Sequence, residues 1–304
     1  MSQLHTGRVV SSTGNHCVVA DEAGTLQRCQ LRHRQGARPV CGDRVDWHAD
    51  DGTAYIEQIH PRRNVIERGD FRGRPRALAA NIDRLILVVA PAPTPDLLLV
   101  DRYRVLAGAA DIPLMIWINK TDRAEGAGSE PLQRLTDQQT ELGLPMLRGS
   151  AETGAGIEAL KTWIHAETVI LVGQSGVGKT SLTQHLIPAL ALRTGEISEA
   201  SGQGRHTTTD TRLFPRPEGG CLIDSPGVRT LRLDHLSVRD VAAGFPDITE
   251  KAHACRFRDC HHLEEPQCAV QSAIKQGQID PQRLMNWRRL ITETGGADSN
   301  QAQP

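Results

Sequence analysis

At the centre of the chain runs Gly173-Gln174-Ser175-Gly176-Val177-Gly178-Lys179-Thr180, which matches the pattern G-x-x-x-x-G-K-[ST]. The β-branched run Thr168–Val172 before it predicts a buried strand, and Ser181–Ile187 after it predicts a helix. In this setting the glycines allow backbone N–H groups to surround phosphate oxygens, and the helix N-terminus favours an anion. We predict a phosphate-binding loop with Lys179 on the β- and γ-phosphates and the Thr180 hydroxyl on Mg²⁺. The predicted nucleotide contacts here are Val172, Gly173, Gln174, Ser175, Gly176, Val177, Gly178, Lys179 and Thr180.

Upstream of that loop, a second strand-like run, Leu114–Ile118, is followed by Asn119-Lys120-Thr121-Asp122. The pattern N-K-x-D indicates guanine recognition, because the Asp carboxylate accepts two N–H donors that adenine cannot supply together. It argues against an enzyme that uses ATP. We expect Asn119 to bond the base edge or the loop that holds it, and the stem of Lys120 to cover the base. Further on, Ser150-Ala151 resembles the short motif whose backbone contacts guanine O6.

Two further segments supply candidate contacts for magnesium and the γ-phosphate. Asp224-Ser225-Pro226-Gly227 fits D-x-x-G, so Asp224 would bind Mg²⁺ through water and the Gly227 N–H would sense the γ-phosphate. Between the two loops lies a switch-like segment, Gly204-Arg205-His206-Thr207-Thr208-Thr209. We assign the magnesium-binding hydroxyl of this segment to Thr208, with Thr207 and Thr209 as alternatives.

The residue after D-x-x-G, where many GTPases carry a water-orienting Gln, is Val228. An aliphatic side chain cannot orient water, so either hydrolysis is slow and stimulated by a partner or another residue acts. His206 is the catalytic candidate, because it lies in the predicted switch and its neutral imidazole can position water near pH 7. A structural or exposed histidine is the alternative for His206. An RNA-binding scaffold that keeps GTP as a structural ligand is the alternative for the whole protein.

Cysteine is concentrated near the C-terminal end of the chain. Cys255, Cys260 and Cys268 form the spacing C-x4-C-x-H-x5-C, with His261 and His262 between them. Three thiolates and one imidazole complete a tetrahedral Zn²⁺ shell and leave no open position, which predicts a structural and not a catalytic zinc. One of the two histidines would bind and the other would point away. Three free cysteines are the alternative, whereas a disulfide framework is disfavoured because nothing else suggests secretion.

Composition limits the class of protein. The 304 residues carry a net charge of −1, so the whole chain gives no electrostatic argument for nucleic acid. Arginines are nevertheless dense between Arg28 and Arg44, between Arg62 and Arg76, and from Arg283 to Arg289, where they would suit phosphate or form a solvated face. No apolar run approaches the roughly 18 residues of a membrane span, and the polar sequence that follows Met1 leads us to expect no signal peptide. We expect a cytoplasmic protein.

The chain divides into three predicted units. Residues 1–66 contain short strand-like runs separated by turns, which favours a small barrel of the oligonucleotide-binding (OB) kind. Aromatic residues are scarce there (Trp47 and Tyr55), so contact through arginine is more plausible than base stacking. Residues 67–235 alternate strands with helices, which predicts a doubly wound α/β sheet. Residues 236–304 combine short helices with the cysteine-rich loop.

The order of the motifs is unusual, because ordinary GTPases carry the phosphate loop before N-K-x-D. The reversed order is typical of circularly permuted GTPases. Together with Gly42-Asp43-Arg44-Val45 in the barrel and the zinc loop Cys255–Cys260, the motifs resemble one family, the ribosome small-subunit-dependent GTPases known as RsgA or YjeQ. The resemblance implies an α/β, circularly permuted P-loop GTPase domain flanked by an N-terminal OB-like barrel and a C-terminal zinc-binding helical domain.

The same resemblance implies a function. It indicates a cytoplasmic GTPase in late maturation of the small (30S) ribosomal subunit, which binds the subunit and its 16S rRNA and hydrolyses GTP to GDP when stimulated. It favours His262 over His261 as the zinc ligand, with one zinc per chain and magnesium bound alongside GTP. We further expect a monomer that binds GTP and GDP and does not associate with a membrane.

Overall fold

The structure is a computed structural model that describes residues 3–31, 37–69, 74–123, 129–188, 190, 211–224, 233–258 and 260–294. The predicted switch, with His206 and its neighbours Thr207, Thr208 and Thr209, lies outside the described residues. Gly227 of D-x-x-G and the following Val228 also lie outside them.

The N-terminal strands form a closed barrel. β1 pairs with both β2 and β4, and β3 pairs in parallel with β5, so the sheet closes in the order β1-β2-β3-β5-β4. Alternate residues, among them Val19, Trp47 and Ile56, fill the interior. The predicted small barrel is confirmed. Its strands are β1 (Leu4–Thr13), β2 (His16–Ala20), β3 (Leu26–Leu31), β4 (Arg44–Asp50) and β5 (Thr53–Ile59).

A hairpin of β6 (Val65–Gly69) and β7 (Pro75–Ala80) follows the barrel and packs on its Gly42-Asp43 turn. Gly42 has φ +93°, and a Cβ there would lie 2.1 Å from the Ala80 carbonyl oxygen, so only glycine fits. The fully buried Asp43 carboxylate accepts two hydrogen bonds from Arg62, each 2.8 Å long. The predicted boundary at residue 66 falls within β6.

The central domain is built on six strands in the order β10-β9-β8-β11-β13-β12. All neighbours are parallel except β12 and β13, and β12 also meets β1 of the barrel through Ser11 and Arg212. The inner strands are buried along their length, as continuous apolar runs predict. The strands are β8 (Arg84–Val89), β9 (Leu114–Ile118), β10 (Met146–Arg148), β11 (Thr168–Val172), β12 (Arg212–Pro215) and β13 (Cys221–Asp224). The helices of this domain are α1 (Leu97–Ala109), α2 (Ser129–Glu141), α3 (Ile157–Trp163) and α4 (Lys179–Leu186).

Among the described residues of the C-terminal end there are four helices: α5 (Val238–Ala243), α6 (Pro246–Ala252), α7 (Ala269–Lys275) and α8 (Pro281–Glu293). Ser237 and Asp240 form a capping box at the start of α5, and Asp280 caps α8. Apolar side chains of these helices share one core with α1, so the helical unit is docked on the central domain. Within the described ranges, no helix combines the length and apolar character needed to cross a membrane.

Candidate nucleotide site and candidate metal centre

The predicted nucleotide residues meet at one edge of the central sheet. The phosphate loop follows β11, N-K-x-D follows β9, Ser150 lies just beyond β10, and Asp224 ends β13. These strands are parallel, so their carboxyl ends lie together, where ligands of open α/β sheets bind. Motifs that are far apart in the sequence are therefore adjacent in space.

The phosphate loop depends on its glycines. Gly173, Gly176 and Gly178 have φ values of +132°, +81° and +96°. A Cβ on Gly173 would lie 2.2 Å from the Val88 carbonyl oxygen, and one on Gly178 would lie 2.2 Å from Asn119 Nδ2. Larger residues would have to push these groups aside, so the curled backbone with its N–H groups requires glycine at both positions.

Lys179 is the first residue of α4, and its ammonium group folds back into the phosphate loop. Its Nζ donates to the carbonyl oxygen of Gly173 at 2.7 Å and also to that of Gln174. The other predicted loop residues divide by burial. Val172 and Val177 are buried and anchor the loop, whereas Ser175 and Thr180 are exposed.

Asn119 ties the guanine motif to the phosphate loop. Its side chain is buried; Nδ2 donates to the Val177 carbonyl oxygen at 2.8 Å, and Oδ1 accepts from the Ala151 N–H at 2.9 Å. The sequence predicted that Asn119 bonds either the base edge or the loop that holds the base. The bond to Ala151 is of the second kind. Lys120 adds a second tie, because its Nζ donates to the carbonyl oxygens of Ala92 at 2.8 Å and Gly176 at 2.5 Å.

Asp122 presents an accessible carboxylate at the guanine end of the site. A hydrogen bond from the Ser150 hydroxyl lowers the pKa of Asp122, so the carboxylate is ionised at neutral pH and ready to accept N–H donors. The Ser150 Oγ also accepts from the backbone N–H groups of Glu152 at 3.1 Å and Thr153 at 3.2 Å. The Ser150-Ala151 motif predicted a contact through its backbone only, so this role of the Ser150 side chain was not predicted. The neighbouring Thr121 donates its backbone N–H to Gly149.

Two neighbours of the phosphate loop have no sequence motif. Tyr103 in α1 is buried; burial raises its pKa to about 12, and interaction with the Gly173 backbone partly offsets that rise. The Asp96 backbone N–H donates to Gln174 Oε1 at 3.3 Å, and Gln174 Nε2 donates to the Thr94 carbonyl oxygen at 3.2 Å. These contacts join positions far apart in the chain, so no local spacing could have indicated them.

The cysteine-rich loop gathers four ligand atoms. Those of Cys255, Cys260, His262 and Cys268 all lie within 4.8 Å of one another. His262 Nδ1 lies 3.6 Å from Cys255 Sγ and 3.4 Å from Cys268 Sγ, and burial lowers the pKa of His262, which keeps the imidazole neutral. His261 is exposed, with its backbone N–H on Glu265, so the structure brings His262 into the cluster and leaves His261 outside.

The cluster has the dimensions and support of a structural zinc site. Tetrahedral zinc with bonds of about 2.3 Å to sulfur separates two thiolates by about 3.8 Å, and Cys255 Sγ and Cys268 Sγ are 3.9 Å apart. The Gln271 backbone N–H donates to Cys268 Sγ at 3.4 Å, and its side chain donates to the His262 carbonyl oxygen at 2.5 Å. These contacts orient two ligands, as outer partners of metal sites do. The donor set is therefore compatible with zinc.

Comparison with known proteins identifies the family. The sequence model described as RsgA GTPase matches residues 59–234, more than half of the chain. This chain belongs to the RsgA GTPase family. It is 40% identical over 299 residues to the "Small ribosomal subunit biogenesis GTPase RsgA" of Haemophilus influenzae strain PittGG, covering 96% of this chain and 85% of that protein. It is also 40% identical over 294 residues to the protein of the same name from Pseudomonas aeruginosa strain LESB58, covering 96% and 86%.

Solved structures agree with this assignment. The crystal structure of YjeQ from Thermotoga maritima superposes with a TM-score of 0.76 at 29% identity, covering 97% of this chain and all of that one. The structure of YloQ, described as a circularly permuted GTPase, superposes with a TM-score of 0.71 at 26% identity, covering 97% and 96%. The permuted fold is confirmed, and membership of the RsgA GTPase family makes this chain a GTP hydrolase. The family assignment favours hydrolysis over the scaffold alternative.

Proposed function

We propose that this RsgA-family GTPase acts in late maturation of the small (30S) ribosomal subunit in the cytoplasm. It binds the subunit and its 16S rRNA as a monomer and hydrolyses GTP to GDP when the subunit stimulates it. The support is the near full-length similarity to proteins named small ribosomal subunit biogenesis GTPase. The observation that carries the enzymatic part is the convergence of the phosphate loop and N-K-x-D at one edge of the sheet.

The phosphate loop is proposed to hold the β- and γ-phosphates. The Lys179 ammonium group is bonded to carbonyl oxygens of its own loop, and it would exchange these for phosphate oxygens of a bound nucleotide. Thr180 and Asp224 are proposed to hold Mg²⁺, which neutralises phosphate charge when bound. Thr208, Gly227 and His206 remain proposals for magnesium, γ-phosphate and water, and they lie outside the described residues.

Guanine recognition is proposed to depend on Asp122, with Ser150 holding its carboxylate and Asn119 fixing the distance between base and phosphate subsites. Lys120, Thr121 and the Ala151 backbone complete the base site. Because Asn119 bonds Val177 and Ala151 at once, the two subsites are joined through a single buried side chain. The site is therefore pre-organised for a guanine nucleotide of fixed length.

Asp122→Asn is expected to lower GDP affinity at least about 100-fold, because a carboxylate that accepts two guanine N–H groups is replaced by an amide that can match only one. The same change should favour xanthine nucleotides, whose C2 oxygen accepts the new amide donor. Competition binding with GDP, XDP and ADP checks both effects. If the wild type binds ADP and GDP alike, the role given to Asp122 is wrong.

The three sequence units are proposed as functional domains: a barrel (1–66), a GTPase domain (67–235) and a zinc-binding helical domain (236–304). In the last, Cys255, Cys260, His262 and Cys268 would hold one Zn²⁺. The zinc would cross-link the loop to α7 and take no part in hydrolysis, because four protein ligands leave no open coordination position.

RNA binding is proposed to involve a cleft between the barrel and the β6–β7 hairpin. A cavity of about 530 Å³ opens there, lined in part by Arg38, Arg62, Arg68 and Arg76. Arg68 and Arg76 are directly opposite each other across the hairpin, so the cleft carries two arginine side chains close together. Arginine side chains of this kind bind the phosphates of an RNA strand.

Replacing Arg68 and Arg76 together by alanine is expected to weaken co-sedimentation with small subunits. The salt dependence of co-sedimentation should also become shallower, because binding with two fewer arginines releases fewer counterions from the RNA. The measurement is pelleting with a non-hydrolysable GTP analogue across a salt series. The matched control replaces both arginines by lysine, which keeps the charge and most of the binding. Equal binding by the alanine and lysine variants would exclude the cleft as an RNA contact.

A further inference from the structure

Helix α4 (Lys179–Leu186) reaches from the phosphate loop to the base loop, residues 150–153, which follows β10. His185 lies in the last turn of the helix and is half-buried. Its Nε2 atom is 2.8 Å from the carbonyl oxygen of Ala151 in the base loop. A carbonyl oxygen can only accept, so His185 carries a hydrogen on Nε2 and donates it. The helix that begins at the phosphate loop therefore holds the base loop with its other end.

Side chains hold both backbone polar groups of Ala151. Its N–H donates to Asn119 Oδ1 at 2.9 Å, and its carbonyl oxygen accepts from His185. Asn119 in turn donates to the Val177 carbonyl oxygen of the phosphate loop at 2.8 Å. Ala151 is buried, so loss of either side chain would take a hydrogen bond from a backbone group that has little access to water. The position of the base loop therefore depends on both bonds.

Apolar packing holds α4 in place against the base loop. Leu182 and Leu186 lie one turn apart on α4, on the same face, and both are fully buried. They share one core cluster with Ala151 of the base loop and Val177 of the phosphate loop. Because protein cores are close-packed, the helix has little freedom to turn about its axis, and His185 stays within reach of Ala151. The bond from His185 to the base loop is therefore a fixed part of the fold.

We propose that His185 is a positioning residue for guanine recognition. It acts through Ala151, whose backbone belongs to the proposed base site, and holds the base loop from the side of α4 while Asn119 holds it from N-K-x-D. His185 lies six residues after Lys179, about 9 Å along the helix axis, and is therefore away from the phosphate subsite. Its loss weakens guanine nucleotides and spares nucleotides that bind through their phosphates alone. The inference rests on the proposed nucleotide site and not on the ribosomal partner.

Displacement of a fluorescent GDP, N-methylanthraniloyl-GDP, by unlabelled GDP or ADP tests this role, after direct titration of the probe with each variant. In His185→Ala the affinity for GDP is expected to fall about 3- to 10-fold, the range for loss of one neutral hydrogen bond. The affinity for ADP should stay within about twofold of the wild type, because adenine does not match the guanine subsite. A residue that only supported the fold or the phosphate loop would lower both affinities alike. The ratio of GDP to ADP affinity therefore separates positioning of the base loop from a general structural role.

Two further variants complete the experiment. His185→Gln keeps an N–H donor at nearly the same reach as Nε2 and should recover most of the GDP affinity. Gln184 is the exposed neighbour of His185 on the same helix, and Gln184→Ala should match the wild type with both nucleotides. An unchanged ratio of GDP to ADP affinity in His185→Ala, or a His185→Gln variant as weak as His185→Ala, would overturn the role of His185. A wild type that does not bind the probe would instead refute the nucleotide site itself.

Discussion

Lys179→Ala is expected to lower the rate of GTP hydrolysis at least about 100-fold, the loss typical of removing one pre-organised donor from developing charge. Nucleotide affinity should fall as well, because Nζ lies inside the loop, 2.7 Å from the Gly173 carbonyl oxygen. The neighbouring Lys120 cannot substitute, since its Nζ is engaged with Ala92 and Gly176. Single-turnover hydrolysis at saturating GTP separates the rate from the affinity.

The control for this prediction is Lys161→Ala. Lys161 lies on α3 and pairs with Glu158 and Glu218. Its replacement by alanine therefore removes the same charge, but away from every predicted nucleotide residue. Hydrolysis should be unchanged in that variant. Loss of such a donor should lower turnover by more than about tenfold. If Lys179→Ala keeps more than about a tenth of wild-type turnover, the phosphate-loop assignment is wrong.

The second large effect concerns the metal. Cys268→Ser is expected to remove the zinc and unfold the loop between α6 and α7, because metal-binding free energy in such sites, about 10–16 kcal/mol, is folding free energy. Cys268 is 3% exposed and also caps α7, so its loss affects both the cluster and the helix. The zinc content measured by elemental analysis should fall from about one per chain, as expected for one four-ligand site, to nearly none. Protease should then cleave the C-terminal unit. GTP binding should persist, because the four ligands lie outside the nucleotide site.

Two adjacent histidines provide a matched pair for the metal prediction. His262→Ala should lose zinc, because its Nδ1 faces Cys255 and Cys268, whereas His261→Ala should keep it. Cys221→Ser, which changes a cysteine on β13 outside the cluster, should also keep zinc. If His262→Ala retained the wild-type zinc content, the fourth ligand would have to be another group.

Local features of this protein could be read from the sequence because short-range patterns encode them. Leu114–Ile118 and Thr168–Val172 are strands as predicted, since continuous β-branched and apolar runs favour buried strands. Helix α4 begins at Lys179, two residues earlier than the predicted Ser181, because the left-handed Gly178 ends the loop there and serves as its N-cap. The β6–β7 hairpin was not predicted, since its arginine-rich sequence lacks an apolar alternation.

Contacts between distant parts of the chain were beyond sequence reasoning. The interaction of Ser150 with Asp122 and the Asp101–Arg283 pair each join elements that only the folded topology brings together. The motifs nevertheless predicted the site, because parallel strands place every loop at their carboxyl ends on one edge of the sheet. The motif residues that the loops contribute to the site were predictable. The helices and hydrogen bonds that hold those residues in place were not.

GTP turnover by the purified protein, measured with small subunits, with large subunits and with neither, is the decisive test of the proposed function. Val228 in place of a water-orienting glutamine predicts slow intrinsic hydrolysis. We expect small subunits to raise turnover at least about tenfold, below the stimulation that partner proteins give other GTPases, and large subunits to leave it unchanged. Equal turnover in all three conditions would contradict the proposed function and leave a permuted GTPase whose partner lies elsewhere.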